Sequence, residues 1–434
     1  MNKLSELTLV VGDSSITSLE KGDSVVFSPD KLTNVILGME KRYELPSDDK
    51  YRLGVSLSPT FSQLLSPLKG ILPTLTPMES GSNREITFTY NYQIKGLIYY
   101  HLEEHSSAKA LLESMRRDQF VRQELVPKEG LGNSTFYEVN NNRGVTQTVE
   151  LFDRLAKKVG RQLKSDHLQL GDLMAIDGSL IDATLSMVWA DYTANKKKAK
   201  AHIGFDLNNS TPRKLILTDG VGNERIYLPQ ILQPGQTAVS DRGLQDHQLF
   251  DQLIDEGKHF VMRIKNNTKK EIIEELPFEE GPAIFFHAEV IIGDPCHRMK
   301  HSVILVGFRN HGKLYWVITD RTDLTAEQIA AIFALRWEIE QFFHWWKSYM
   351  KVYWLIARSK HGMLLQLLSG LITYILFLLY CSINFDEPPN IKRLRELRWI
   401  IHSEAVFSLV FLSLRDFLPD FLFQMIIQTV FLRS

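Results

Sequence analysis

Residues 236–265 read QTAVSDRGLQDHQLFDQLIDEGKHFVMRIK, and this stretch decides the fold class. QTAVSD (236–241) and HFVMRIK (259–265) are short β-branched runs, and between them GLQDHQLFDQLIDEG has the apolar spacing of a helix. Three similar runs precede them: LMAID (173–177), KAHIGFD (200–206) and RKLILTD (213–219). Three strands, a fourth ending in an acid, a helix and a fifth strand make an α/β order. Downstream, an acidic stretch (Glu271, Glu274, Glu275, Glu279, Glu280) leads into AIFFHAEVIIG, HSVILVGF and KLYWVITD, which read as an antiparallel insertion. A long helix then starts near Thr325, with Gln328 three residues on as a capping box, and runs through AEQIAAIFALRWEIEQFFHWWKSYM.

The composition bounds the class. The 434 residues are 44% apolar and 23% charged, which excludes a disordered or collagen-like chain and suggests two to four domains. Two distant cysteines, Cys296 and Cys381, cannot build a disulfide framework or zinc cluster, so a reducing cytosolic compartment is expected. The N-terminus lacks the features of a signal peptide. Leu364–Ile383 is apolar over about the 20 residues needed to cross a bilayer. It also carries Gln366, Ser369, Thr373, Tyr374 and Ser382, so a core helix buried on all sides is the favoured reading. An integral membrane protein built on 364–383 is the rival from another class. A net charge of −1 argues at first against a nucleic-acid partner. It is a sum of opposed segments: −3 over residues 1–150, +2 over 151–265, −4 over 266–340 and +4 over 341–434. That distribution permits DNA.

Chemistry concentrates in the acids. Asp177 and Asp241 each end a predicted strand and precede a turn (DGS, DRG), the edge of an α/β sheet where ligands bind. Asp before Gly is also ordinary turn chemistry, and Asp182, Asp206 and Asp219 are read that way. On the long helix, Phe333, Arg336, Glu340 and Lys347 form one stripe. A salt-bridge ladder would explain the charges, yet the density of Phe342, Phe343, Trp345 and Trp346 argues for a packed helix and hence a site. Three carboxylates suit a pair of Mg²⁺ ions, which take oxygen ligands and clamp both oxygens of a phosphoryl displacement. The neighbouring Arg336 and Lys347 would hold phosphates.

At these residues the chain resembles the DDE transposases of bacterial insertion sequences, in the branch marked by Tyr-x2-Arg-x3-Glu-x6-Lys. Phe333, Arg336, Glu340 and Lys347 match the motif spacing, with Phe in place of Tyr. IDGS at Asp177, SDRG at Asp241 and FVMRIK at Arg263 and Lys265 match further blocks, and the likeness spans roughly residues 95–385. It implies an RNase H-like catalytic core interrupted by a β-rich insertion, with Asp177, Asp241 and Glu340 as the metal-binding catalytic triad. Two Mg²⁺ ions are implied, with Mn²⁺ able to substitute. Arg336, Lys347, Arg263 and Lys265 would contact DNA. The family Tyr offers a hydroxyl to a phosphate, so Phe333 would weaken handling of the DNA end by the roughly 0.5–1.5 kcal/mol of one hydrogen bond. Related enzymes stack a flipped base on an insertion aromatic. Tyr315 or Trp316 is the candidate, but neighbours on a strand point to opposite faces, so at most one can serve.

The expected organisation is an N-terminal region of unknown role (1–93), a helical DNA-binding region (94–170) and the core (171–265 and 321–385). The β insertion occupies 266–320 and a C-terminal helical region 386–434. Lys196, Lys197 and Lys198, read as a loop before a strand, are further DNA candidates. The basic series Lys157, Lys158, Arg161 and Lys164 is as readily a solvated helix face. His344, four residues after Glu340, has no metal-ligand partner and is read as packing or support. The resulting expectation is a nucleoid-associated cytoplasmic transposase, acting as a dimer without a membrane, that cuts the terminal inverted repeats of its element and joins them to target double-stranded DNA. A degenerate or domesticated nuclease is the alternative.

Overall fold

The computed structural model describes residues 9–11, 14–16, 56–79, 85–193, 195–278 and 283–413. The acids Glu279 and Glu280 lie outside the described residues. The chain folds as two compact units, one of residues 1–66, 113–130 and 390–434, the other of 67–112 and 131–389.

In the first unit, β1 (Leu9–Val11) and β2 (Ser14–Ile16) form an antiparallel hairpin. Helix α1 (Pro59–Lys69), whose last residues belong to the second unit, opens with a proline, which lacks the N–H that a first helical turn leaves unpaired. Phe61 N donates locally to Ser58 Oγ at 3.0 Å, while Thr60 is met from a distance. Glu404, on α12 (Ile391–Ser413), accepts from Thr60 N at 2.9 Å, Thr60 Oγ1 at 2.7 Å and Ser58 Oγ at 2.6 Å. Phe61 meets Phe120 of α4 (Gln119–Leu125) edge-on at 5.6 Å. Helix α3 (Ala108–Arg117) has its first residues in the second unit and its last in the first. Tyr90 opens α2 (Tyr90–Leu102).

The second unit is built on a ten-stranded sheet. Its strands are β3 (Leu173–Ala183), β4 (Asp191–Thr193), β5 (Lys196–Asp206), β6 (Thr211–Asp219), β7 (Thr237–Ser240), β8 (His259–Arg263), β9 (Lys270–Glu275), β10 (Ile284–Ile292), β11 (Val303–Asn310) and β12 (Lys313–Thr319). The order is β4-β5-β3-β7-β8-β12-β11-β10-β9, with β6 also on β5. Strands β3, β7 and β8 run parallel, and every other pairing is antiparallel. The stretch read as an antiparallel insertion extends the central sheet, because β12 pairs with β8 through Val317↔Arg263, Ile318↔Met262 and Thr319↔Val261.

The two faces are covered differently. Met174, Ile176, Ala238, Phe260, Met262, Ile264, Leu305 and Ile318 point to one face, where they form a core with α7 (Glu224–Ile231) and α8 (His247–Asp255). The alternate residues point to the other face, beneath α9 (Ala326–Leu335) and α10 (Trp337–Tyr349). The single long helix suggested by the sequence is thus two. Thr325 and Gln328 do form the capping box. At Arg336 the ladder tightens to three-residue bonds, Arg336 N to Phe333 O and Ile339 N to Arg336 O, both at 3.3 Å. The break lets α9 pack on β8, β11 and β12 while α10 packs on β3.

Helix α11 (Lys360–Phe385) is the apolar segment with membrane-like length, and 94% of its most apolar window is buried within this fold. It is a core helix, packed by α2, α5 (Asn133–Asn142), α6 (Val145–Gly160) and α10. Its polar residues are satisfied locally. Gln366 donates to Trp354 O at 2.8 Å and accepts from Ile356 N at 2.7 Å, while Ser369 and Thr373 donate to carbonyls one turn back. His101, fully buried on α2, ties α11 to the end of α10. Its Nδ1 lies 2.6 Å from Met350 O, and its Nε2 lies 3.1 Å from Ser369 Oγ and 3.2 Å from Gln366 O.

Burial pushes His101 down to about 4, so it is neutral where an unfolded histidine still gains a proton near 6.5. The folded value is the lower one, so stability is full above pH 6.5 and declines as pH falls toward 4, by about 3 kcal/mol from this group. Denaturant melts at pH 7.5 and 4.5 should show that gap, and His101→Gln should narrow it; an unchanged gap would remove His101 as its source.

Candidate active site

Strand pairing brings two of the sequence-predicted acids side by side. In the parallel β3–β7 pair, Met174 lies opposite Ala238 and Ala175 opposite Val239. Ser240 Oγ extends the alignment by donating to Ile176 O at 3.0 Å, the same offset of 64 residues. One more step sets Asp177 level with Asp241. Asp177 does not end its strand, as the sequence pattern suggests, because β3 runs on to Ala183. What ends is its pairing with β7, and there Asp177 faces α10, which carries Glu340.

The electrostatics tie these groups together. Burial, then the charges of Glu224 and Glu340, push Asp177 up to about 6, against the Gly178 N–H that donates to its Oδ1 at 2.8 Å and the positive Arg336. Arg336 Nη1 grips Glu340 Oε1 at 2.6 Å, and Arg263 Nη1 lies 3.5 Å from Asp241 Oδ1. That Oδ1 is shielded from solvent and accepts no hydrogen bond. Lys347, the last member of the stripe, donates to Leu180 O at 3.0 Å, and burial holds its ammonium below the ordinary lysine value. Among the described residues, no three His, Cys, Asp or Glu side chains are gathered closely enough to share an ion. The donors nonetheless suit a hard divalent cation: they are all oxygens, one is buried without a partner, and two of the carboxylates lie within each other's field.

The remaining candidates divide. Tyr315 and Phe333 join the site face: Arg263 lies over the Tyr315 ring at 4.7 Å, and Tyr315 packs on Phe333 at 5.9 Å. Trp316 points the other way, against Phe285, Phe286 and Lys270. Lys265 is exposed and shares an open groove with Arg242, Gly243, Asn266 and Asn267. Lys196, Lys197 and Lys198 form the start of β5 and not a loop, since they pair with β4 and β3. Lys197 is ion-paired to Asp191, and Lys198 to Asp182 at 2.8 Å, while Lys196 is exposed. Asp206 is structural, held by Arg213 at 2.7 Å.

Two features escape sequence reading. Glu224, paired with Lys200 at 2.6 Å, bears on Asp177, yet in sequence it is an ordinary acid in a helix first turn. A cleft of about 910 Å³ flanks Glu340, lined by Trp337, Glu338, His344, Trp345, Asn209 and Ser210 among others. His344, read as packing or support, is exposed there. Only tertiary pairing of β5–β6 with α10 creates that cleft.

Comparison with known proteins adds a likeness in sequence. Residues 169–376 match the family described as the transposase DDE domain, a range that holds all three acids. Over this central domain the chain is similar to the DDE transposases. It is 24% identical over 191 residues to a Geobacillus stearothermophilus protein named as a transposase for insertion sequence element IS5377, covering 43% of this chain and 51% of that one. It is 24% identical over 271 residues to a Sinorhizobium fredii protein named as transposase y4zB, covering 60% and 75%. A Synechocystis protein named as a transposase for element IS4SA is 23% identical over 254 residues, covering 56% and 70%. The matched part thus spans about half of the first relative and somewhat more of the other two. Domains of this family depend on divalent metal.

Because the folded value of Asp177 is raised, its charge opposes folding above pH 6 and stops doing so as pH falls toward 4. In chelator, Asp177→Asn should therefore raise the melting temperature at pH 8, by an amount equivalent to a few kcal/mol at most, and should change little at pH 4. A melting point lowered at pH 8 would refute the burial argument.

Proposed function

We propose that this chain cuts DNA at the ends of its insertion sequence and joins them to target DNA, using Asp177, Asp241 and Glu340 as its acids. The observation that carries the reading is the alignment of Asp177 with Asp241 on adjacent parallel strands, on the face covered by the helix of Glu340. The sheet order supports an RNase H-like core: β6, β5 and β3 antiparallel, then β7 and β8 parallel to β3. Strands β9 to β12 would be the β-rich insertion, the helices before β3 a DNA-binding region, and the working form a dimer on the inverted repeats, at the nucleoid.

Two Mg²⁺ ions, or Mn²⁺ in their place, would be held by the three carboxylates and would supply Lewis-acid stabilisation of the charge developing on the phosphate oxygens. The chain's own residues do the rest. Gly178 N–H orients the Asp177 carboxylate. Arg336 holds Glu340 and presents a guanidinium suited to a phosphate. Lys347, Arg263 and Lys265 place further positive charge where a strand would pass, and Lys196 to Lys198 would contact the backbone beyond it.

Lewis-acid stabilisation is worth several kcal/mol, and each 1.36 kcal/mol is tenfold in rate. Glu340→Gln should therefore slow Mg²⁺-dependent cleavage of a labelled element end by at least about 100-fold while leaving the fold intact by circular dichroism. A variant that cuts as fast as wild type would defeat the assignment.

A further inference from the structure

A continuous row of cations and rings crosses the site from Asp241 to Glu340. Arg263 Nη1 lies 3.5 Å from Asp241 Oδ1, and the guanidinium carbon of Arg263 lies 4.7 Å above the Tyr315 ring. The Tyr315 ring stacks on Phe308 at 5.3 Å and packs on Phe333 at 5.9 Å. The Phe333 ring then carries the Arg336 guanidinium at 5.7 Å, and Arg336 holds Glu340 at 2.6 Å. Both arginines have an Nε shielded from solvent with no hydrogen-bond partner. Each guanidinium is held at one Nη1 by its acid and has no hydrogen bond at Nε, so the flanking ring supplies the further contact that sets its plane.

We infer that Tyr315 is a positioning residue for cleavage: its ring seats Arg263 directly and Arg336 through Phe333, so that one insertion side chain sets both guanidinium groups against the two acids. This rests on the reading of the site as a DNA-cleaving centre. It assigns Tyr315 a task within the protein, distinct from stacking on a nucleobase. It also accounts for Phe333. That side chain is 6% exposed and enclosed by Phe308, Tyr315 and Arg336, so the site uses its ring, and a hydroxyl there is not needed for the row.

The test uses the full chain and a duplex carrying the boundary of the element that encodes it. Tyr315→Leu should slow Mg²⁺-dependent single-turnover cleavage about tenfold with less than a twofold change in duplex affinity, and Tyr315→Phe should stay within twofold of wild type. Arg263→Gln should cost a similar factor, and combining it with Tyr315→Leu should add almost nothing. Without DNA, the Arg263 Nε–Hε resonance of arginine-labelled protein should shift in Tyr315→Leu and hardly move in Tyr315→Phe. Several results overturn the inference: fully additive losses, an unmoved Arg263 resonance, or rescue of Tyr315→Leu by an abasic duplex, which would make Tyr315 a base stacker. If wild type cuts no element end, the reading of the site fails and takes the positioning role with it. If wild type cuts and the variants are additive, only the positioning role fails.

Discussion

Everything at this site depends on the pleat of one sheet. Side chains alternate strictly along a strand, and strands aligned in register share the alternation. With Ala175 opposite Val239 and Val239 opposite Val261, the residues Asp177, Asp241 and Arg263 all rise on one face. The same rule sends Ile176, Ala238 and Met262 into the core on the other. A one-residue slip of β7 against β3 would bury Asp241 among Phe250, Phe260 and Leu253 and bring Ser240 to the site. The apolar face therefore enforces the register: carboxylates cannot enter that core without several kcal/mol of desolvation.

The same constraint explains which parts of the arrangement are legible in sequence. The α/β order, the turn after Asp241 and the Thr325–Gln328 cap are local, and each is written in a few adjacent residues. The position of Asp177 is not, since β3 continues through Gly178 and Ala183 on the strength of pairing with β5, and nothing within β3 marks the point level with the end of β7. The break at Arg336 carries neither Gly nor Pro, and arises because α9 and α10 serve different strands. The lysines at 196–198 look like a solvated run because Asp182 and Asp191, their partners, become neighbours only when the strands pair. Glu224 is invisible for the same reason.

For Glu340, a salt-bridge ladder and a functional site are compatible readings. The ladder exists, with Arg336 gripping Glu340 one turn away, and the acid still acts on Asp177 across the site. An exposed pair at this spacing would contribute a few tenths of a kcal/mol. Here the pair sits beside the part-buried Asp177, where positive charge lowers the cost of keeping the acids ionised. The near-zero net charge of the whole chain follows the same pattern: acids and bases are both abundant because many of them face one another. Net charge is then a weak guide to a DNA partner, and the placement of guanidinium groups a better one.

That placement depends in turn on the insertion being part of the sheet. Had β9 to β12 formed a separate hairpin domain, Tyr315 could contact the site only through a mobile linker. Instead Val317 pairs with Arg263 itself, so the strand that presents Tyr315 is bonded to the strand that presents its guanidinium partner. On the opposite face Trp316 is fixed by Phe285 and Phe286, which leaves β12 little freedom to twist. A rigid strand anchored on both faces is what a positioning side chain requires. The adjacent aromatics of LYWV thus divide the work by parity alone, Trp316 holding the sheet and Tyr315 facing the acids.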